Sequence, residues 1–192
     1  MRLLERHVIC NIEKRFIFLR EGIFPITQTL ITNAIKRLQD ADPNKKINFY
    51  ITGVGGDSHV SFRIYQAMRR TSMVVNTICV DFVKSGSLLI SQAGKKRFAT
   101  EETKFIFHMA RDTEDGIMEV LKNEDLNGEK HLKMAKNLFL LDAMQLLILG
   151  EKGRPFSEIK NLLSTNAEIS AEKALQLNLI DGILPKSKIP KI

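Results

Sequence analysis

Two side chains in this sequence stand where they can act on a carbonyl group. Ser85 follows the most continuous apolar run of the first half of the chain, Met73 to Val80, and the residues after it, Ser87-Leu-Leu-Ile-Ser-Gln-Ala93, favour a helix. A run rich in Val and Ile with little polar alternation reads as a strand covered on both faces, the kind that parallel sheets flanked by helices contain. Ser85-Gly86 is then a strand-to-helix turn. Such a turn exposes a hydroxyl at a tight corner and directs the open N–H groups of the helix start at whatever the hydroxyl attacks. The same place suits a serine that only caps the helix, so nucleophile and cap are the two readings of Ser85. His108 ends a second apolar stretch, Lys104-Phe-Ile-Phe-His108, and can reach a site at the sheet's edge. There it is either a structural imidazole or the base that activates a hydroxyl.

A third feature is the glycine cluster Thr52-Gly-Val-Gly-Gly-Asp57. Glycines between a strand and a helix serve a turn that needs positive φ, or let the backbone approach a ligand closely. The cluster is no phosphate-binding loop, because the Lys-Ser/Thr that should follow the last glycine is absent and the spacing is not that of a dinucleotide fingerprint. Nucleotide binding is therefore not expected. Two cysteines and four scattered histidines show no ligand spacing, so no metal is expected either.

The elements that must position these groups follow in order. Arg15-Phe-Ile-Phe-Leu19 is a first strand. Ile26, Leu30, Ile31, Ala34, Ile35 and Leu38 recur at helical spacing and predict a helix from Thr27 to Ala41, closed by Asp42-Pro43. Ile47 to Ile51 is the second strand, Ser58 to Arg69 the second helix, and Met73 to Val80 the third strand. Strand and helix in alternation predict an α/β chain built of right-handed crossovers on a parallel sheet. Lys95 to Ala99 and Lys104 to His108 continue it. Glu129 to Leu149 is a strong helix by composition, and its second half is apolar around most of its circumference, which predicts either core burial or packing against another subunit.

Composition bounds the rest. A chain of 192 residues with 44% hydrophobic content suits a single domain. The longest membrane candidate, Leu138 to Leu149, is broken by Asp142 and Gln145 and is too short to span. The opening Met-Arg-Leu-Leu-Glu-Arg-His7 carries no apolar signal core. Cys10 and Cys79 are too few for a disulfide framework, and a cytoplasmic, reducing location is expected. The formal charge of +7 is spread over pairs such as Lys36-Arg37 and Lys45-Lys46 without interleaved aromatics, so a solvated surface, not a nucleic-acid site, is expected. The last residues, 185–192, carry two prolines and three lysines and predict an exposed basic tail.

Several stretches resemble, in register, the proteolytic subunit of the Clp protease (ClpP, the S14 peptidases), whose fold is shared with the crotonases. They are Arg15-Phe-Ile-Phe-Leu, Ile51-Thr-Gly-Val-Gly-Gly (the family's Ile-Asn-Ser-Pro-Gly-Gly) and Ile64-Tyr-Gln-Ala-Met68. Thr77-Ile-Cys79 with Ser85, Ala93-Gly94, Lys96-Arg-Phe-Ala99 and Phe107-His108 continue the match, and Ile169-Ser-Ala-Glu-Lys-Ala174 and Leu179-Ile-Asp-Gly-Ile183 close it. The resemblance covers about residues 12 to 108 and 157 to 184. It implies a ClpP/crotonase-type fold of repeated β-β-α and βαβ units with a mostly parallel sheet, over a single domain 1–192, with a protruding handle helix at about 129–150.

By the same resemblance Ser85 falls on the family's nucleophile, His108 on its general base and Asn166 on the aspartate that orients the base. Gly56 and Gly86 fall on the oxyanion-hole amides, and Gly55 and Gly56 border the strand-like substrate. The implied function is an ATP-independent serine peptidase core that cleaves peptides or unfolded proteins through an acyl-enzyme, needs no cofactor, forms a homo-oligomer of stacked rings and is fed by an AAA+ unfoldase. The alternatives are a catalytically impaired structural or regulatory ring subunit and a crotonase-type enzyme acting on acyl thioesters. The departures from the pattern cluster at the site: Asn166 cannot offset an imidazolium charge, Lys84 replaces a small residue and Gly86 a methionine. Glu168, Asp112 and Asp115 are other conceivable orienters of His108. The segment from Met109 to Lys130 replaces a Gln-Pro and glycine-rich stretch with a longer charged insertion.

Overall fold

The computed structural model describes residues 7–110, 128–151 and 153–190. A hairpin opens the chain: β1 (Val8–Asn11) pairs antiparallel with β2 (Phe16–Leu19). The short β3 (Gly22–Ile23) leads into α1 (Pro25–Ala41), whose Thr27, Ile31, Ala34, Ile35 and Leu38 form one buried stripe; of the positions the spacing singles out, Ile26 lies in solvent and Leu30 is half-buried, and Thr27 takes the inward place at the helix start. Its C-terminal carbonyls are met by a side chain from outside the helix. The Arg15 guanidinium donates to the Leu38 oxygen, to Asp42 O at 2.8 Å and to Lys45 O at 2.7 Å, tying the helix end and the turn after it to the hairpin.

β4 (Ile47–Gly53) and the two-residue β5 (Gly55–Gly56) precede α2 (Ser58–Arg70), which Asp57 caps by accepting the Val60 N–H at 2.9 Å. β6 (Val75–Lys84) and α3 (Gly86–Ser91) follow, then β7 (Arg97–Thr100) and β8 (Lys104–Ile106). After the long helix α4 (Gly128–Gly150) come α5 (Phe156–Ser164), β9 (Glu168–Ile169), α6 (Ala171–Gln176) and β10 (Gly182–Leu184). The main sheet runs β1-β2-β4-β6-β7-β10, with β8 also on β6 and β9 on β8. Every pair but β1·β2 and β8·β9 is parallel. A mixed α/β fold on a mostly parallel sheet is what the alternation of elements predicts.

Both faces of the sheet are covered. Ile17, Leu19, Phe49, Ile51 and Val83 belong to the cluster under the helices, while Phe16, Phe18, Tyr50, Ile78 and Val80 form a second cluster on the opposite face. That is why β2, β4 and β6 read as nearly continuous apolar runs. The hairpin strand β1 was not foreseen: four residues of intermediate burial give no period to read. The third strand is longer than its apolar run, because Asp81, at φ 56°, sits in a bulge and the chain stays extended through Lys84.

The expected exposed tail is only partly so. Pro185 to Lys188 lie in solvent, with Lys186 Nζ 2.8 Å from Glu102 and 3.7 Å from Asp81, yet Ile189 packs on the second cluster. The long helix buries Ile148 and Leu149 at its end but leaves Phe139, Leu140 and Leu147 at 72%, 58% and 61% exposure.

One buried network ties the C-terminal half to the sheet. Arg97, 2% exposed, donates to Asp181 at 2.7 and 3.2 Å and to Gln92 Oε1 at 3.1 Å; Arg154 donates to that same Gln92 oxygen at 3.0 Å and to Asn178 O. Burial, and then the neighbouring Arg97 charge, bring the Arg154 guanidinium down to about 10. Only the arginine side of this pair is fully buried, the Asp181 side chain being 26% exposed, so removing the aspartate should cost less than the about 3–5 kcal/mol of a wholly buried pair. Asp181→Ala should therefore lower Tm by roughly 5 °C in a domain of this size, read by calorimetry. A fall below about 2 °C would deny the pair any structural weight.

Candidate active site

β6 ends at Lys84 and α3 begins at Gly86, so Ser85 forms the corner between them, with φ 54° and ψ −124°. A non-glycine residue at positive φ is strained by about 1–3 kcal/mol and persists where the surroundings over-determine it. Its hydroxyl does not cap the helix: Ser85 contributes its carbonyl to Leu89 N at 3.1 Å but makes no side-chain cap bond. Of the two readings of this serine, the capping one is thereby removed. The Gly86 N–H belongs to the first turn of α3, where an amide has no partner within the helix.

The glycine cluster lies against this corner. A Cβ on Gly55 would come within 2.7 Å of Gly86 N, Lys84 O and Ser85 Cβ; the strand passes the elbow with no room for a side chain. Gly56 pairs with Ile23 of β3, and a Cβ there would meet the Ile23 backbone. The next residue, Asp57, donates its N–H to Ile23 O at 2.9 Å. Amides alternate in direction along a strand, so the Gly56 N–H turns away from β3. Gly86 answers to the same crowding from α2. A Cβ on it would strike Ser61 Oγ, which is held by its 2.7 Å bond to Asp57 O. A side chain at position 86 has nowhere to go while Ser61 is present.

Histidine and asparagine arrive by register. β8 pairs parallel with β6, Ile106 opposite Lys84, so the C-terminal ends of these strands, where ligands of parallel sheets bind, bring His108 beside the Ser85–Gly86 corner. β9 pairs antiparallel with β8, Ile106 opposite Glu168, and the Phe107 N–H continues the ladder to Ala167 O at 2.8 Å. One further step sets His108 opposite Asn166, itself at φ 52°. Adjacent strands lie about 4.8 Å apart, so positions 85, 108 and 166 gather at one end of three neighbouring strands. Nδ1 of His108 is 2.7 Å from Met109 O. A carbonyl only accepts, so this bond puts the proton on Nδ1 and leaves Nε2 as the basic nitrogen.

Lys84 and Glu168 lie one row back from that end of the strands. Lys84 lies in one row with Ile106 and Glu168, and its in-strand neighbour Val83 is fully buried on the other face. Glu168 is engaged by Lys104, 2.6 Å from its Nζ. Asp112 and Asp115, and most of the charged insertion, lie outside the described residues. Sequence reasoning missed the pocket beside Ser85 and Gly86. Phe62 of α2, Leu89 of α3 and Leu141 and Met144 of the long helix give it an apolar wall, with Ser58, Ser61 and Gln145 as its polar members. The apolar side of the long helix was the available signal. Among the described residues no group of His, Cys, Asp and Glu could hold a metal, and no helix is long and apolar enough to cross a membrane. Burial pushes the Cys79 thiol up to about 12, so it is no nucleophile.

The profile of the family described as Clp protease matches residues 7–187. Among curated proteins, the ATP-dependent Clp protease proteolytic subunit of Porphyromonas gingivalis is 26% identical over 176 residues, 91% of this chain and 75% of that protein.

Proposed function

The chain belongs to the Clp protease family, and from that premise we propose that it is a serine-type peptidase in which Ser85, His108 and Asn166 act as a triad. Ser85 Oγ attacks the peptide carbonyl carbon while Nε2 of His108 takes its proton. The carbonyl oxygen becomes an oxyanion met by the amides of Gly56 and Gly86. The C–N bond then breaks, the leaving amine takes the proton from His108, and the acyl group stays on Ser85. A water molecule activated by the same imidazole releases the acid and restores the serine. No metal or cofactor enters the sequence. Each oxyanion donor is worth about 3–4 kcal/mol of barrier.

The observation that carries this reading is the register of β6, β8 and β9, which gathers an uncapped, strained serine, a histidine with its proton on Nδ1 and a carboxamide beside the glycine pair. The recess beside Ser85 is apolar-walled but holds little more than one water, so it marks the acyl side of the cut without enclosing a side chain, and the peptide lies as an added strand along Gly55–Gly56. The exposed Phe139, Leu140 and Leu147 of the long helix suit a partner subunit, in keeping with a ring-forming homo-oligomer of the cytoplasm. Unfolded chains and peptides are its substrates, with a separate AAA+ unfoldase feeding it. A second reading, an impaired ring subunit, is favoured by two residues: Asn166 supplies no charge to the imidazolium, and Lys84 stands where the family has a small residue ahead of the serine.

A fluorophosphonate probe followed by peptide mapping separates the two. The peptidase reading expects one adduct per chain, on Ser85. An adduct on another residue, or none in any state of assembly, would leave only the structural role.

A further inference from the structure

We propose that Asp142 is a positioning residue that brings a negative charge to bear on His108, acting through the Met109–Ala110 peptide. The inference rests on the triad proposed above. Its basis is two hydrogen bonds that meet on one peptide group. The Met109 carbonyl oxygen lies 2.7 Å from His108 Nδ1, and the N–H of the same peptide, on Ala110, donates to Asp142 Oδ1 at 2.6 Å. A distance that short is typical of bonds to a charged acceptor.

A peptide gripped this way is not passive. A carboxylate on its N–H end draws the proton side and drives electron density onto its carbonyl oxygen, and hydrogen bonds in series strengthen one another by about 10–30% each. The Met109 oxygen thus becomes a better acceptor for Nδ1–H, above all once Nε2 has taken the serine proton and the ring is cationic. The geometry makes three groups of one chain: imidazole, peptide and carboxylate. Asn166, opposite His108 across the strand pair, contributes a neutral amide; Asp142 contributes the charge, two bonds away. Gln145 Nε2, 3.4 Å from the same Asp142 oxygen, steadies the carboxylate from the next turn.

Asp142 sits on the turn of the long helix whose Leu141, Met144 and Gln145 line the pocket beside Ser85. One helical turn therefore both walls the acyl site and holds the segment that carries the base. A displacement of that turn would alter both together.

The test is the rate of Ser85 phosphonylation, resolved into kinact and KI. Asp142→Ala removes the bond to a charged acceptor and leaves the Ala110 N–H unsatisfied, and should lower kinact about 30-fold with KI within twofold. Asp142→Asn keeps an acceptor oxygen but not the charge, and should recover most of the bond while staying about three- to tenfold below the parent. Ala110→Pro deletes the donor without touching the helix; it should match Asp142→Ala, and the double variant should be no slower than either single one. A merely structural role predicts equal loss in Asp142→Ala and Asp142→Asn, or additive losses in the double variant, and either result overturns the proposal. So does an unchanged kinact in Asp142→Ala or in Ala110→Pro. If Asp142→Ala does not fold, Ala110→Pro alone decides by the same criterion. Failure of the parent protein to label on Ser85 would instead remove the triad reading itself, an outcome distinct from all of these.

Discussion

His108→Ala is expected to lower the rate of peptide cleavage by about 10⁴-fold, with little change in KM. A serine hydroxyl is a poor nucleophile until its proton is taken, and the bond from His108 Nδ1 to the Met109 carbonyl leaves Nε2 as the one ring nitrogen able to take it. Because the imidazole acts on the reacting atoms and contributes little to substrate affinity, the loss should appear in kcat. The strand ladder is carried by backbone groups, Phe107 N–H to Ala167 O among them, so Tm should move by only a few degrees. Residual cleavage, where present, reports the oxyanion donors and substrate alignment alone. A variant retaining more than about a tenth of the parent kcat would show that another base serves Ser85 and would remove His108 from the triad.

Gly55→Ala is expected to cost about 10²–10³ in kcat/KM and to destabilise the fold as well. Three atoms stand within 2.7 Å of the place its methyl group would take: Gly86 N, Lys84 O and Ser85 Cβ. All belong to the corner at Ser85, and two are backbone, so the elbow must move, or Gly55 must. The residue also holds φ +86°, a region where a Cβ adds strain of about 1–2 kcal/mol. Either movement misaligns the amides of Gly56 and Gly86, and losing one donor of such a pair costs about 10²–10³ in kcat. The check is steady-state kinetics on a chromogenic peptide beside a thermal melt. Full activity with an unaltered melt would mean that β5 does not hold the elbow.

What the sequence discloses of this site depends on whether the signal is local. Ser85 was legible because an apolar strand runs directly into a helix, a contrast confined to a few residues. The first two helices were legible for the same reason, their buried positions recurring at fixed steps; α1 begins at Pro25 and ends at Ala41, and α2 spans Ser58–Arg70. β6 was read short because Asp81 and Lys84 are polar, and the bulge that lets the strand continue past them leaves no mark in a hydrophobic pattern. Asn166 carried no chemical signature in Ser-Thr-Asn-Ala and was reached only through likeness to a family; its place opposite His108 comes from pairing between strands sixty residues apart. Asp142 stood out only as a charge interrupting an apolar stretch. Its partner is a backbone amide 32 residues away, and any residue type can offer an amide, so nothing in the side chains announces the contact.

The strand β6 changes neighbours partway along: Thr77, Ile78 and Cys79 pair with β7, whereas Phe82, Val83 and Lys84 pair with β8. The ladder that joins serine to histidine is thus only three residue pairs long and separate from the one that anchors the sheet. Short ladders of this kind open by local fluctuation at lower free energy than the global fold. In deuterium exchange, Phe105 and Phe107 should therefore lose protection well before Ile78 and Phe98, and an acyl group held on Ser85 should slow that breathing.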